Sequence, residues 1–382
     1  MTTVIHSVRL VDDGTVQDAA WVAFSDGVVA GRGTGDDWRQ LTVAEAIDGA
    51  GRVLTPGFLD IHHHGGGGAA YDDGADAITA ARAVHRAHGT TRAILSLVTA
   101  SVDDLAARVA VIADAAERDA TILGSHLEGP FLDVAHKGAH TAALLRAPDA
   151  TAIEQLLRAG RGTVRQVTLA PELPGGLDAV ARFVEAGVVV AVGHTAATYA
   201  QSRAAFDVGA TLVTHAFNAM PGIHHREPGP VVAAMADDRV TLELIADGVH
   251  VHPDVVALAF AGAPGRIALV TDAMAAAGAA DGSYELGGLA VTVHRGIARL
   301  DSDGAIAGST LTQDAALRLV VAGGQPLPAA VAALTTTPAR AFGWAGRYGS
   351  LRPGGVADAV LLNDDLHVEG VWVDGTRVPA GA

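Results

Sequence analysis

Eight short apolar, β-branched runs alternate with seven stretches of helical spacing between residues 57 and 270. The apolar runs are 57–62, 91–98, 122–126, 164–169, 188–192, 211–214, 241–245 and 267–270. The helical stretches are 75–88, 103–116, 150–158, 177–186, 199–208, 231–236 and 254–261. Strand, helix, strand at intervals of roughly 20–35 residues implies right-handed βαβ units and a parallel sheet. Eight such units fit a (β/α)8 barrel of the TIM type. An open, doubly wound sheet is the competing arrangement. No Gly-x-Gly-x-x-Gly opens the first unit, and no helical stretch directly follows Gly65-Gly66-Gly67-Gly68. That run reads as a flexible loop, not a dinucleotide site.

The two ends differ from this middle. Residues 1–55 hold short β segments separated by Asp12-Asp13-Gly14 and Ser25-Asp26-Gly27 turns, and strands at 359–362 and 371–373 precede an Asp374-Gly375 turn. Neither end is large enough to bury a core well alone. Residues 1–55 and 349–382 are therefore expected to pair into one small β-sandwich domain, with 56–348 as the barrel. Residues 281–304 interrupt the alternation with a hairpin, 284–286 against 290–293, and two helices near 312–322 and 328–335 lead back to the small domain.

Charge and cysteine content narrow the function. The formal net charge is -16 with no long basic run, which argues against nucleic acid or an anionic membrane surface as partner. There is no cysteine, so disulfides, thiolate metal sites and cysteine nucleophiles are excluded, and the 17 histidines are left as the candidate metal ligands. Met1 to Leu10 lack a basic start with an apolar run, and no stretch of about 18 uncharged apolar residues occurs; a soluble cytoplasmic protein is expected.

Polar residues collect where the apolar runs end. Strand one runs into Asp60-Ile61-His62-His63-His64, strand three into His126-Leu127-Glu128-Gly129-Pro130 and strand five into Gly193-His194-Thr195. Strand six ends in His215, seven in Asp247-Gly248-Val249-His250 and eight in Thr271-Asp272-Ala273. In a parallel barrel these ends share one rim, the rim where ligands bind. Residues two apart in an extended segment share a face, so His62 and His64 point inward together and His63 elsewhere; His126 and Glu128 share a face likewise. Neutral imidazoles and carboxylates suit a divalent ion, zinc above all, with iron, manganese or cobalt as alternatives. Glu128, His194 and His215 are expected to hold one ion. His62 and His64, with Glu128 bridging and Asp272 nearby, are expected to hold a second. Asp272 reads as a base beside water activated at the metal, or else as a helix N-cap. His6, His85, His88, His136, His294 and His367 lie off this rim and carry no role; His63, His224 and His225 adjoin it unassigned.

Pro56-Gly57-Phe58-Leu59-Asp60 with His62-x-His64-Gly65 resembles the opening strand of the amidohydrolase superfamily. More narrowly, His126-Leu127-Glu128-Gly129-Pro130-Phe131, Lys137-Gly138-Ala139-His140, Gly193-His194-Thr195 and Thr214-His215-Ala216-Phe217-Asn218-Ala219-Met220 resemble the N-acetylglucosamine-6-phosphate deacetylase family. Arg226-Glu227-Pro228-Gly229, Asp247-Gly248-Val249-His250 and Thr271-Asp272-Ala273 continue that match in order through nearly the whole chain.

The resemblance implies hydrolysis of the acetamide of N-acetylglucosamine 6-phosphate to glucosamine 6-phosphate and acetate. It implies Glu128, His194 and His215 as the ligands shared by all members and Asp272 as the acid/base. Asn218, the amide of Ala219 and Arg226 match phosphate contacts, with Arg226 reaching into the partner's site of a homodimer. Ala139, His140 and His250 match sugar or carbonyl contacts, and Ile306-Ala307-Gly308 a backbone segment closing over the substrate, after which Ser309 could cap the next helix. An arginine fork matches phosphate, and an uncharged His140 could donate to the oxygen that becomes negative during attack. Without the resemblance, Arg226 reads as a solvated loop cation and His140 as a surface loop residue. The family uses Glu128 where many superfamily relatives carry a carboxylated lysine, so Lys137 has no such part. The retained first-strand histidines imply one or two ions per subunit. Hydrolysis of another N-acyl amine, and non-catalytic sugar-phosphate or metal binding, are the competing readings.

Overall fold

The computed structural model describes residues 1–378. Every expected apolar run forms a strand: Phe58–Asp60, Thr90–Val98, Ile122–Glu128, Val164–Leu169, Val189–Val192, Leu212–Val213, Thr241–Ile245 and Ile267–Val270. These eight, numbered below as barrel strands one to eight, lie in one sheet in sequence order. From strand two onward each pairs parallel with the next. All nine residues of strand two are buried, as expected of a parallel strand covered on both faces. Beyond the last strand, the Asp272 N–H donates to the His62 carbonyl at 2.8 Å, and Ala273 O accepts from the amides of His64 and Gly65 at 2.7 and 3.0 Å. The end of the order thus meets its beginning, and the sheet is a barrel, not an open doubly wound array.

The covering helices follow from spacing and caps. In Val102–Arg118, Ser101 accepts from the Asp104 amide, Asp103 and Asp104 occupy the first turn, and Leu105, Val109, Ile112 and Ala113 are buried. The cap satisfies one of the first turn's orphan amides, and the acids favour the positive end of the helix dipole. Apolar residues three or four apart give one buried face, where each large aliphatic side chain contributes about 1.5–3 kcal/mol.

Three local expectations change. The hairpin gains a third strand, giving Gly282–Leu286, Leu289–His294 and Ile297–Leu300. A short helix, Thr336–Ala341, follows Leu327–Leu334. The glycine run is an anchored ribbon: Gly65–Gly66 pairs with Ala69–Ala70, and the amides of Gly67 and Gly68 donate to Ala277 and Ala275 carbonyls, each at 2.7 Å. A Cβ on Gly65 would come within 2.3 Å of Ala69 O, so glycine here permits close backbone approach.

By packing, the chain divides into two compact units, Met1–Asp60 with His85–Arg92 and the segment from Gln313 on, and Ile61–Val84 with Ala93–Thr312. In the first unit both chain ends enter one sheet. Its order is Thr376–Arg377, Val368–Val373, Ala359–Leu362, Val53–Pro56, Thr3–Asp12, Thr15–Ser25 and Val28–Thr34, with Glu45–Asp48 also on Thr3–Asp12. Ile5, Leu10, Val22, Phe24, Leu54 and Trp372 form its apolar core. Among the described residues no helix is long and apolar enough to cross a membrane.

An ion network also holds this unit. Arg92 is 2% exposed. Its Nε and Nη2 donate to Asp358 at 2.7 and 3.0 Å, and Nη2 also to Asp374 at 2.5 Å. Arg92→Leu leaves the buried Asp358 carboxylate uncompensated. Chemical denaturation is expected to show a loss of about 3–5 kcal/mol; a loss below 1 kcal/mol would mean the network is dispensable.

Candidate active site

The second unit contains every residue of the site. Barrel strands five, six and eight end at Val192, Val213 and Val270, and two residues beyond each end stand His194, His215 and Asp272. All three have left-handed backbone, with φ of 47°, 26° and 48°. Such backbone costs a non-glycine residue on the order of 1–3 kcal/mol and persists only where the surroundings dictate it. The chain therefore turns at each functional residue itself. Gly193 makes room for one of these turns, because a Cβ there would meet Thr214 Cβ at 2.6 Å and Thr168 Cγ2 at 2.9 Å. No helix begins at Asp272, so the N-cap reading of that residue falls away.

Two donor groups share one carboxylate: Glu128 with His194 and His215, and Glu128 with His62, His64 and Asp272. Glu128 Oε1 lies 3.1 Å from Nε2 of both His194 and His215, and Oε2 lies 3.1 Å from His64 Nε2. Asp272 Oδ1 is 3.2 Å from His64 Nε2 and 3.5 Å from His62 Nε2. His194 and His215 approach Nε2 to Nε2 at 3.0 Å, and His62 and His64 at 3.3 Å. All six side chains are buried. Nε2 atoms facing one another and two carboxylates so closely suit divalent cations better than they suit mutual hydrogen bonds. The donor set, all nitrogen and oxygen, fits such an ion.

Without metal, the charges fall on the cluster itself. Burial pushes the His64 imidazolium down, but hydrogen bonds and charge from Asp272 and Glu128 outweigh it and raise the pKa to about 9. Burial raises Asp272, but the His62 charge and the His64 hydrogen bond bring it to about 2. Burial, helped by the His194 charge, lowers His140 to about 3, so this ring is neutral. Since His64 has a raised folded pKa, its stabilising charge is fully present below 6.5 and is lost as pH rises through about 9. Metal-free protein is thus expected to lose stability between pH 6.5 and 9. Over the same window metal affinity should increase, because no proton need leave His64. Dye-competition titrations at several pH values check this; affinity flat across the window would contradict it.

An open cavity of about 390 Å³ lies over the cluster and is lined by His64, Glu128, His194, His215 and Asp272. Of the other expected residues, Ala139, His140, Asn218, Ala219, His250, Ile306 and Gly308 also line it. The Ala307 side chain is buried in the hairpin's core. The Asn218 side-chain amide donates to the His215 and Ala216 carbonyls at 3.2 and 3.4 Å. His250 is held by Asp247, Nδ1 to Oδ2 at 2.7 Å. Arg226 is exposed, does not line its own chain's cavity, and donates to His225 Nε2 at 2.7 Å. Ser309 does not cap a helix: its hydroxyl bonds to the Thr271 carbonyl, and the next helix starts at Gln313. His63 turns away from the cluster onto the Tyr71 hydroxyl at 2.9 Å.

Several participants have no signal of their own in the sequence. His136, set aside above, lines the cavity, and its carbonyl holds His194 Nδ1 at 2.9 Å. That bond leaves Nε2 of His194 bare for an ion. Thr99 Oγ1 reaches both the Glu128 carbonyl (3.0 Å) and His140 Nδ1 (2.9 Å). With the hydroxyl proton donated to the Glu128 carbonyl, Oγ1 accepts from Nδ1–H of a neutral His140; the proton sits on Nε2 only when the hydroxyl turns to Nδ1 instead. His126 lies beneath the site, bonded to Ser96 and Thr168 at 2.8 Å each.

Comparison with known proteins agrees with this geometry. Residues 53–378 match the amidohydrolase family. N-acetylgalactosamine-6-phosphate deacetylase of Escherichia coli O157:H7 is 40% identical over 380 residues, covering 98% of this chain and 99% of that protein. N-acetylglucosamine-6-phosphate deacetylase of Vibrio furnissii is 34% identical over 368 residues, covering 95% and 91% respectively. The N-acetyl-D-glucosamine-6-phosphate deacetylase of Mycobacterium smegmatis, solved in complex with N-acetyl-D-glucosamine 6-phosphate, superposes with a TM-score of 0.92 at 42% identity, covering 99% of this chain and 98% of that one. With its barrel, its paired donor groups and these likenesses over nearly its whole length, the chain belongs to the amidohydrolase family, among the N-acetylglucosamine-6-phosphate deacetylases.

Proposed function

We propose that this protein hydrolyses the acetamide of N-acetylglucosamine 6-phosphate to glucosamine 6-phosphate and acetate. The observation that carries this reading is the Glu128 carboxylate shared by two donor groups, with Asp272 beside it on the floor of an open cavity. A divalent ion there, zinc in our reading, supplies a Lewis acid that makes water more acidic and draws charge from a carbonyl. Asp272 takes a proton from the attacking water as its oxygen bonds to the acetyl carbon. When the Thr99 hydroxyl turns from the Glu128 carbonyl to Nδ1, a neutral His140 carries its proton on Nε2 and donates a hydrogen bond to the carbonyl oxygen as that oxygen becomes negative. The C–N bond then breaks, Asp272 returns its proton to the departing nitrogen, and acetate and the amine leave. Ile306 and Gly308 also line this cavity. Acetate release from the phosphosugar tests the reading; no release from metal-loaded protein would end it.

A phosphate is well matched by a cation, and among the described residues no lysine or arginine lines the cavity. We assign that part to Arg226 of a second copy in a homodimer. Arg226→Ala is expected to raise KM for the phosphorylated substrate roughly 10- to 100-fold, the size of a lost charge-assisted bond. KM for the unphosphorylated sugar should hold; an equal rise for both would remove the phosphate role. A phosphorylated sugar does not cross membranes unaided, and a cytoplasmic location, where such a sugar would be made and kept, is part of this reading. The 40% identity to an N-acetylgalactosamine-6-phosphate deacetylase favours a second reading, hydrolysis of the C4 epimer. Comparing kcat/KM for the two phosphosugars decides between them.

A further inference from the structure

Glu243 stands at the centre of barrel strand seven, Thr241–Ile245, fully buried and outside both donor groups. A carboxylate withdrawn from water is costly unless it is paired and hydrogen-bonded. Its partners are specific. Oε2 is 3.0 Å from His62 Nδ1, Oε1 accepts from the Gln166 amide at 2.7 Å, and the His215 N–H reaches Oε2 at 3.3 Å. A carboxylate facing Nδ1 makes that nitrogen the donor and leaves Nε2 with a bare lone pair. His62 Nε2 is the atom that faces His64, Glu128 and Asp272, at 3.3, 3.5 and 3.5 Å. The other imidazoles lack such support. His194 rests on a neutral carbonyl, and among the described residues Nδ1 of His64 and of His215 has no hydrogen-bond partner.

We infer that Glu243, oriented by Gln166, is the positioning residue of the ion held by His62 and His64: it sets the tautomer of His62 and adds negative charge behind the ligand. The inference rests on the two-ion reading of the site. It makes Glu243 act through His62, without touching substrate.

Metal-stripped wild type and Glu243→Gln are titrated with Co2+, followed by calorimetry and visible absorption. Wild type should take up two equivalents, one per donor group. Glu243→Gln should keep the tighter ion and bind the second about 10- to 100-fold more weakly, the usual cost of losing a carboxylate behind a ligand histidine. In a His62→Asn background the same substitution should change nothing further. Unchanged second-ion affinity in folded Glu243→Gln, or an undiminished effect in His62→Asn, overturns the inference while the two-ion reading stands. One equivalent in wild type overturns both. Should Glu243→Gln not fold, nitrogen NMR of the His62 ring in zinc-loaded wild type reads the same point: a proton on Nδ1 supports the inference, and a bare Nδ1 overturns it.

Discussion

Asp272→Asn is expected to lower kcat by about 10²- to 10⁴-fold, the range for losing a positioned acid or base, with bound metal retained. Glu128, His194 and His215 form a donor group without Asp272, so an ion can stay when the carboxylate becomes an amide. An amide cannot take the proton from water or return it to nitrogen. A carboxylate is a poor base towards ordinary water, so the transfer calls for water made more acidic by an ion, and base and ion are useful together. Acetate release with metal analysis of the same sample checks this. Metal lost in parallel with activity would recast Asp272 as chiefly a ligand.

Glu128→Gln should have a larger effect, because one carboxylate serves both donor groups. Oε1 meets His194 and His215, and Oε2 meets His64. The substitution keeps the shape but removes the negative charge shared by the two donor groups. Loss of Lewis-acid catalysis worth at least about 4 kcal/mol corresponds to a fall of about 10³-fold or more in kcat/KM. A second readout does not depend on turnover. Metal at 100 times its Kd stabilises a folded protein by about 2.7 kcal/mol, so the wild-type melting temperature should rise on adding metal and that of Glu128→Gln should not. A variant that still melts higher with metal would show that the histidines suffice.

The candidate ligands were legible because each ends or follows an apolar run, and such runs reveal themselves by composition alone. His62, His64, Glu128, His194, His215 and Asp272 needed no partner to be noticed. Glu243 and His136 did. Glu243 is one acid within a buried strand, and the histidine that explains it lies 181 residues away. His136 contributes through its carbonyl, an atom every residue has. Thr99, an ordinary threonine at a strand end, became informative only when His140 was found 2.9 Å away. The glycine run misled for a related reason: conformational freedom in a sequence does not say whether partner carbonyls, here those of Ala275 and Ala277, will hold it.

By itself the sequence determined the alternation of strands and helices and the residue types at the rim. These depend on periodicity and side-chain chemistry, which act over a few neighbours. The tertiary structure alone decided that the sheet closes, through the Asp272 amide on the His62 carbonyl, and that two donor groups meet on one carboxylate. It also decided that Nε2 of His64, His194 and His215 faces the Glu128 carboxylate. Such outcomes depend on separations of a few ångströms between groups far apart in the chain, and a one-dimensional pattern carries no such distances.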